Sequence, residues 1–281
     1  MPHIEVDGTR FFYQQSGSGP DVVLVHAVTS NLAVWLFTGI MDVLAERFRV
    51  TAYDLRGHGQ SDCPPQGYTS ADMAGDFARL AGQLGLGPAL VVGHSFGGVV
   101  ALHTALNHPA LVRGVVLSDS FFPGLKHVEP NYGRTTVWDD LRGTFRSAGV
   151  DLPETLDFTR LFGTIANLTP GQSAQLDKAL GPFAKGWLRQ LPRLAETTCG
   201  ADVMHEAGLT AAAIATVGVP VVALYDEFSP FQSTCRWLQT HLADCTTEII
   251  PGAKHLAVVQ NPGGFTAAVR RHLERLAARA G

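Results

Sequence analysis

Six short apolar runs, rich in valine and isoleucine, constrain the fold of this chain more than any other feature. They read "DVVLVHA", "FRVTAYD", "ALVVGHS", "VRGVVLSD", "VPVVALYD" and "TTEIIPG". Runs of this length and composition are typical of parallel strands that are buried on both faces. Most are separated by segments with helical spacing of Leu, Ala and Phe, at 31–47, 70–84, 96–107, 230–241 and 262–280. The alternation predicts an α/β fold in which helices cover a parallel sheet.

The amino-terminal residues follow a different pattern. Residues 4–15 alternate polar and apolar side chains around the dipeptide Asp7-Gly8. Asp-Gly favours a tight turn between two antiparallel strands. We therefore predict a hairpin ahead of the parallel strands.

The strand signal lapses between about 121 and 217. Periodic apolar segments continue there, such as "VWDDLRGTF", "FTRLFGTIANL" and "GWLRQLPRLAE", without a convincing strand. We predict a helical cap at 121–217, inserted into a core formed by 1–120 and 218–281. The cap is rich in aromatic side chains, which we expect to form mainly its own core and in part an apolar pocket: Phe121, Phe122, Trp138, Phe145, Phe158, Phe162, Phe183 and Trp187.

Composition excludes several classes of protein. The 281 residues are 46% hydrophobic and 16% charged with a net charge of −4, so there is no basic field for nucleic acid or an anionic membrane. No apolar run is long enough to span a bilayer, and no signal peptide is recognisable, which predicts a cytoplasmic protein. The cysteines and histidines show no metal spacing. We therefore predict no metal. We also expect no cofactor, because the acyl-transfer mechanism predicted below requires none, and the oligomeric state stays open.

A serine stands where a strand passes directly into a helix. The stretch "VVGHSFGG" has the pattern G-x-S-x-G, with Ser95 at its centre. Such a tight turn forces the serine side chain outward, and the small glycines on either side prevent steric overlap. The following helix directs its positive end to the same point, so the Phe96 N–H is a candidate donor to an oxyanion. Ser95 is the predicted nucleophile.

With these residues in place, the chain resembles the α/β-hydrolase superfamily. Four motifs carry the resemblance: "VHAVTSNLAVW", "DLRGHGQSD", "VVGHSFGGVVAL" and "PGAKHLAVVQNP". The resemblance implies an eight-stranded, mostly parallel sheet, a helical cap after the sixth strand, and a Ser-acid-His triad in that order. It implies that His255, just past the last strand, is the base that activates Ser95. The family counterparts of His26 and His94 are mostly structural, and that of His58 marks the fold and not the chemistry.

The triad acid is less clearly specified than the serine and the histidine. The family usually places it three residues after a glycine that follows the seventh strand, but here Asp226 replaces the glycine and Ser229 replaces the acid. We interpret Ser229 as a helix N-cap before Pro230. Asp119, after the sixth strand, is our preferred acid, because some haloalkane dehalogenases have their acid there. Two other assignments of the acid, Asp226 and Glu227, stay open, as does the absence of any carboxylate partner. The alternative interpretation of Asp226 is a solvated turn residue.

The second oxyanion donor is expected in the loop after the first parallel strand. Relatives usually have His-Gly there, whereas this chain has His26-Ala27 followed by Val28. Alanine is acceptable if its φ is negative, so we predict that the Val28 N–H is the donor.

A serine nucleophile predicts acyl transfer on an ester, thioester or lactone, with an apolar small molecule as the substrate. Two other functions stay open at this point. One is C–C bond hydrolysis, or a lyase or cyclase reaction, with the same triad, because fold and motif do not separate these chemistries. The other is ligand binding without catalysis, suggested by the altered segments at Ala27 and at 226–229.

Overall fold

The computed structural model of the protein describes residues 2–181 and 188–279, and a sheet of eight strands lies at the centre of this part of the chain. The strands are β1 His3–Val6, β2 Thr9–Ser16, β3 Asp21–Val25, β4 Arg49–Tyr53, β5 Ala89–His94, β6 Val112–Ser118, β7 Val221–Asp226 and β8 Cys245–Ile250. The order across the sheet is β1-β2-β4-β3-β5-β6-β7-β8. β2 pairs antiparallel with β1 and with β4, and all other neighbours pair parallel. All six apolar runs are strands, so the predicted α/β class is confirmed.

The predicted hairpin is also present. β1 and β2 pair around Asp7 and Gly8, which have φ values of 47° and 75°. Positive φ at both central residues is the geometry that Asp-Gly turns favour between twisted strands.

Helices follow the predicted segments, with one clear difference. The segment 31–47 forms two short helices and not one, because Gly39 between them has a left-handed backbone with φ of 73°. A glycine accepts this conformation without steric cost, and it turns the chain before the next strand. The α-helices are Ala33–Phe37, Ile40–Ala45, Ser70–Gln83, Phe96–Asn107, Thr136–Ser147, Phe158–Ala166, Pro170–Leu180, Cys199–Asp202, Ala211–Ile214, Gln232–His241, Ala257–Gln260 and Pro262–Ala278.

The two faces of the sheet each bury one apolar cluster. In β3, Val23 and Val25 face the cluster that includes helices Ser70–Gln83 and Phe96–Asn107. Val22 and Leu24 face the opposite cluster, beneath helices Ile40–Ala45 and Pro262–Ala278. Side chains alternate between the faces of a strand, so a run that is apolar throughout requires cover on both sides. This burial holds the strand ends, and the residues that follow them, in fixed positions.

The segment between β6 and β7 is mainly helical. Within 121–181 and 188–217 the structure contains α-helices, short 3₁₀ turns and one isolated bridge between Gly124 and Thr210. Arg193 connects this segment to the core, since its Nε donates to the Gly57 carbonyl at 2.9 Å and its Nη2 to the Gly59 carbonyl at 3.1 Å. We keep the cap boundaries 121–217 as a proposal. The predicted aromatic residues Phe183 and Trp187 lie outside the described residues.

Candidate active site

Ser95 occupies a strained turn between β5 and the helix Phe96–Asn107. Its backbone has φ of 53° and ψ of −119°, a conformation that non-glycine residues rarely adopt. A Cβ atom at Gly93 would overlap the backbone of Gly97, and one at Gly97 would overlap the Val25 carbonyl. The glycines that flank the serine are therefore needed for the close approach of strand and helix. The turn leaves the Ser95 side chain partly exposed, as a nucleophile requires.

His255 lies beside this serine. It follows β8, and its Nε2 is 3.2 Å from the Ser95 Oγ. The buried His94 donates from Nε2 to the His255 backbone carbonyl at 2.9 Å, which ties the histidine loop to β5. Burial, together with the charge of His255, lowers the pKa of His94 to about 4, so this ring is neutral near pH 7. His94 therefore has the structural role that the sequence suggests.

Asp119 lies on the other side of the His255 ring. It directly follows β6, its backbone is left-handed with φ of 45°, and it is fully buried. Its Oδ1 is 3.6 Å from His255 Nδ1, which is an ion-pair distance and longer than a hydrogen bond. Catalytic hydrogen bonds are often long without substrate. The structure thus brings together the three residues that the sequence nominates as nucleophile, base and acid.

Ser229 contacts Asp119 and is not the N-cap of the next helix. Its hydroxyl donates to Asp119 Oδ1 at 2.5 Å and accepts from the Phe231 N–H at 2.9 Å. The N-cap interpretation was wrong, because the next helix begins at Gln232 with Phe231 in the cap position. Ser229 occupies the position at which the resemblance places an acid, and this position was the available signal for a contact with Asp119.

Asp226 is buried, so it is not the solvated turn residue that was one interpretation of the sequence. It ends β7 with 1% of its surface exposed, and its Oδ2 accepts from the Ala257 N–H at 2.9 Å. Burial first, and then the charge of Asp119, raise the pKa of Asp226 to about 7. Glu227, by contrast, is exposed and accepts from the Gly252 N–H. Sequence reasoning did not anticipate the bond from Asp226 to the segment that follows His255.

The loop after β3 supplies the proposed second oxyanion donor. Among the residues that the structure describes, the non-glycine residues with positive φ are Asp7, Ser95, Asp119 and Ala207. Ala27 is not one of them, so its backbone meets the condition on which the Val28 assignment depends. The buried His58 ring contacts the Val28 carbonyl through Nε2, and its Nδ1 is 2.8 Å from the Arg56 carbonyl. His58 therefore holds the Val28 loop against the turn after β4, a contact that sequence reasoning missed.

Phe96 is the first residue of its helix. Amides in the first turn of a helix have no acceptor within the helix, and the helix dipole adds partial positive charge there. The Phe96 N–H is therefore available to a ligand oxygen beside Ser95.

Aromatic rings line one side of His255. The Phe231 ring lies edge-on to the imidazole with 5.6 Å between centroids. Phe121 follows at 5.3 Å from Phe231, and Tyr132 stacks on Phe121 at 4.9 Å. Phe121 and Tyr132 come from the segment after β6 and are only partly buried. Most of the other predicted cap aromatics are buried, as expected of a cap core: Phe122, Trp138, Phe145 and Phe162.

Two further observations concern ligands and membranes. Within 2–181 and 188–279, no cluster of three or more His, Cys, Asp or Glu side chains has an arrangement that could hold a metal ion. In the same residues, no helix combines the length and the apolar character that crossing a bilayer requires.

Comparison with known proteins defines the class. A family model described as the alpha/beta hydrolase fold matches residues 20–192, and the chain belongs to this family. Over 106 residues it is 44% identical to 2-(acetamidomethylene)succinate hydrolase of Mesorhizobium japonicum, a match that covers 38% of this chain and 37% of that protein.

Two relatives match over nearly the whole chain. Pimeloyl-[acyl-carrier protein] methyl ester esterase of Chromobacterium violaceum is 29% identical over 273 residues, which is 94% of this chain and 98% of that protein. An esterase structure from Rhodococcus sp. ECU1013 superposes with a TM-score of 0.73 at 23% identity, and the match covers 98% of both chains. At this identity the structural likeness shows the fold alone. The curated relatives named here are a hydrolase and an esterase, in keeping with a hydrolytic enzyme.

Proposed function

We propose that the protein is a serine hydrolase that cleaves an ester, thioester or lactone of an apolar small molecule through an acyl-enzyme. The observation that carries the proposal is the 3.2 Å approach of His255 Nε2 to the Ser95 Oγ, with the Asp119 carboxylate beside His255 Nδ1. This order of groups is what activation of a serine hydroxyl requires. In the proposal Ser95 is the nucleophile, His255 the general base and acid, and Asp119 the carboxylate partner.

The reaction follows from these positions. His255 Nε2 removes the Ser95 hydroxyl proton while Oγ attacks the substrate carbonyl carbon. The N–H groups of Phe96 and Val28 donate to the resulting oxyanion. Collapse of the intermediate expels the leaving group, which takes the proton from His255. Water, deprotonated by His255, then hydrolyses the acyl-enzyme and returns Ser95 to its starting form.

Asp119 stabilises the imidazolium that forms in each step. Burial of the ring is the largest single influence on the pKa of His255 and acts to lower it, but the nearby Asp119 carboxylate, with a smaller contribution from Asp226, raises it above its usual value overall. Because Asp119 stabilises the charged ring, His255 accepts the Ser95 proton more readily as Ser95 attacks.

The surroundings of His255 support an apolar substrate. The rings of Phe231, Phe121 and Tyr132 form one apolar side next to the histidine. The similarity to a methyl ester esterase over 94% of the chain supports an ester carbonyl as the reacting group. We therefore place carboxylic esters before thioesters and lactones as the substrates to test.

Covalent labelling tests the proposal. A fluorophosphonate probe should modify Ser95, identified by peptide mass spectrometry, and short-chain p-nitrophenyl esters should be hydrolysed. Ser95→Ala should lose labelling and at least about 10³-fold of the esterase rate, since the nucleophile is removed. Ser233→Ala, at the start of helix Gln232–His241, is the matched control and should retain both. An unlabelled wild type, or esterase activity that survives in Ser95→Ala, would reject the serine mechanism.

Product analysis separates the proposed reaction from the alternatives. Turnover of β-diketones or cyanohydrins without turnover of esters would assign C–C bond cleavage to the same residues. Failure of Ser95 to react with any acylating reagent would favour a ligand-binding protein.

A further inference from the structure

Two buried carboxyl groups lie at the ends of neighbouring strands, close to the segment that contains His255, and each has an oxygen without a partner. Asp119 follows β6 and Asp226 ends β7, with the Asp119 N–H bonded to the Leu224 carbonyl at 2.8 Å. Asp119 Oδ1 is 3.6 Å from His255 Nδ1, and Asp226 Oδ2 accepts from the Ala257 N–H, so both carboxyl groups approach the segment 255–257. Asp119 Oδ2 and Asp226 Oδ1 are both buried without any hydrogen-bond partner. Unpaired buried oxygens are costly, and two adjacent buried charges of the same sign are more so.

One shared proton between the two carboxyl groups would pair both oxygens and remove the repulsion between the two charges. Two neighbouring carboxylates in a buried site do not both ionise readily, and a shared proton turns their repulsion into a hydrogen bond. Asp119 Oδ1 already accepts from Ser229 and faces His255, which are roles of a carboxylate. Asp226 accepts a single backbone N–H, from Ala257, through Oδ2. The proton therefore belongs on Asp226 Oδ1.

We propose that Asp226 is a neutral carboxylic acid near pH 6 whose Oδ1–H donates to Asp119 Oδ2. In this arrangement Asp226 is a positioning residue. It holds the Asp119 carboxylate with Oδ1 toward His255, while its own Oδ2 fixes the segment that begins at Ala257. The inference deepens the proposed function, because the role of Asp226 rests on Asp119 being the triad acid.

The neighbouring ionisable groups leave this assignment in place. Tyr225 donates its phenol to the Ser120 carbonyl at 2.6 Å, and burial raises its pKa well above the usual value. Burial also raises the pKa of Cys235 to about 11. Glu129 accepts from the Thr234 N–H at 2.7 Å. His94 also interacts with Asp119, but burial lowers its pKa to about 4, so it is neutral near pH 6. His255 is the remaining group that faces the pair, and its raised pKa favours the imidazolium at pH 6. The competing arrangement is therefore an imidazolium beside two ionised aspartates.

A neutral Asp226 and an ionised Asp226 predict different infrared spectra. A neutral Asp226 gives a carboxylic-acid C=O stretching band near pH 6 that disappears with a midpoint near pH 7, in line with the pKa of about 7 that burial and Asp119 produce. Burial also raises the pKa of Asp54 to about 6, so the band must be isolated as wild type minus Asp226→Asn. Asp244→Asn, a partly exposed aspartate paired with Arg279, should leave the band unchanged. Absence of the band from the difference spectrum would overturn the proposal in favour of two ionised aspartates.

Thermal unfolding provides a second readout that does not involve catalysis. The folded-state pKa of Asp226 lies above the unfolded value of 3.8, so wild-type stability falls as pH rises between those values and levels off above about pH 7. An asparagine has no such proton to lose. The melting temperature of Asp226→Asn relative to wild type should therefore rise from pH 5 to pH 7.5, whereas a constant difference would contradict the assignment. If the variant fails to fold, the wild type is labelled with ¹³C-aspartate, which shifts the carboxylic-acid band. The intensity of the shifted band is then followed as a function of pH.

The positioning role is tested through the Ser95 labelling rate. Asparagine keeps a donor for Asp119 and a carbonyl for the Ala257 N–H, whereas alanine keeps neither. We expect Asp226→Ala to label at least tenfold more slowly and Asp226→Asn to recover most of that loss. Wild-type labelling in Asp226→Ala would end the positioning role. If the wild type shows the infrared band but Ser95 is unreactive, the shared proton is supported and the proposed triad is rejected instead.

Discussion

The charge on a single buried carboxylate should control how fast Ser95 reacts. Asp119→Asn keeps the size and polarity of the side chain but removes the negative charge beside His255. Because the His255 ring is neutral before attack and charged in the transition state, only the transition state loses stabilisation. The variant should therefore fold and bind substrate while acylation becomes slow.

The expected magnitude follows from the distance between the charges. Asp119 Oδ1 is 3.6 Å from His255 Nδ1. At an effective dielectric constant of about 20, two unit charges at that separation interact by about 5 kcal/mol. A factor of ten in rate corresponds to about 1.4 kcal/mol, so the rate of labelling at Ser95 should fall by about 10³- to 10⁴-fold.

The assay is the second-order rate of fluorophosphonate labelling at Ser95, measured at pH 8 for wild type and variant. Asp244→Asn is the matched control, because Asp244 precedes the amino end of β8 whereas His255 follows its carboxyl end, and the variant should label at the wild-type rate. A loss below tenfold in Asp119→Asn, with a large loss in Asp226→Asn, would refute the reasoning and move the acid to the end of β7.

Three further results are expected. Because the pKa of His255 is raised above its usual 6.5 and only the neutral ring accepts a proton, labelling of Ser95 should increase with pH through a midpoint above 6.5, and a flat profile from pH 5 to 9 would contradict this. Ser229→Ala removes a hydrogen bond to the Asp119 carboxylate and should lower the free energy of unfolding by about 2 kcal/mol, as urea denaturation can measure. Gly97→Ala should destabilise by about 3 kcal/mol because its Cβ would overlap a strand carbonyl. Its control Gly82→Ala, in open space on an exposed helix face, should instead stabilise by about 0.5–1 kcal/mol in the same assay.

Local patterns predicted most of the elements that carry the site. The run before Ser95 is a strand, and the predicted helix 96–107 has the bounds Phe96–Asn107 in the structure. Both signals are local, since they depend on apolar periodicity and on glycines a few residues from the serine. The prediction of one helix over 31–47 was wrong, because the left-handed backbone of Gly39 divides the segment into two helices. Composition alone does not reveal this backbone conformation.

The partners of Asp119 could not be predicted from the sequence. Ser229 and Asp119 are 110 residues apart, and their hydrogen bond exists because β6 and β7 lie side by side in the sheet. The same pairing places Asp226 in the buried end of β7, where Asp119 contributes to its raised pKa. Burial and neighbouring charge determine which carboxyl keeps a proton, and neither is encoded in the residues beside it.

The sequence by itself determined the α/β architecture, the tight turn at Ser95 and the place of His255 after the last strand, because each depends on periodicity or turn chemistry within about ten residues. Only the tertiary structure decided that Asp119 faces His255, that Ser229 binds that carboxylate and that Asp226 lies buried beside it. These relations are distances across the sheet, and they arise only when the packing of both sheet faces fixes the strand ends relative to one another.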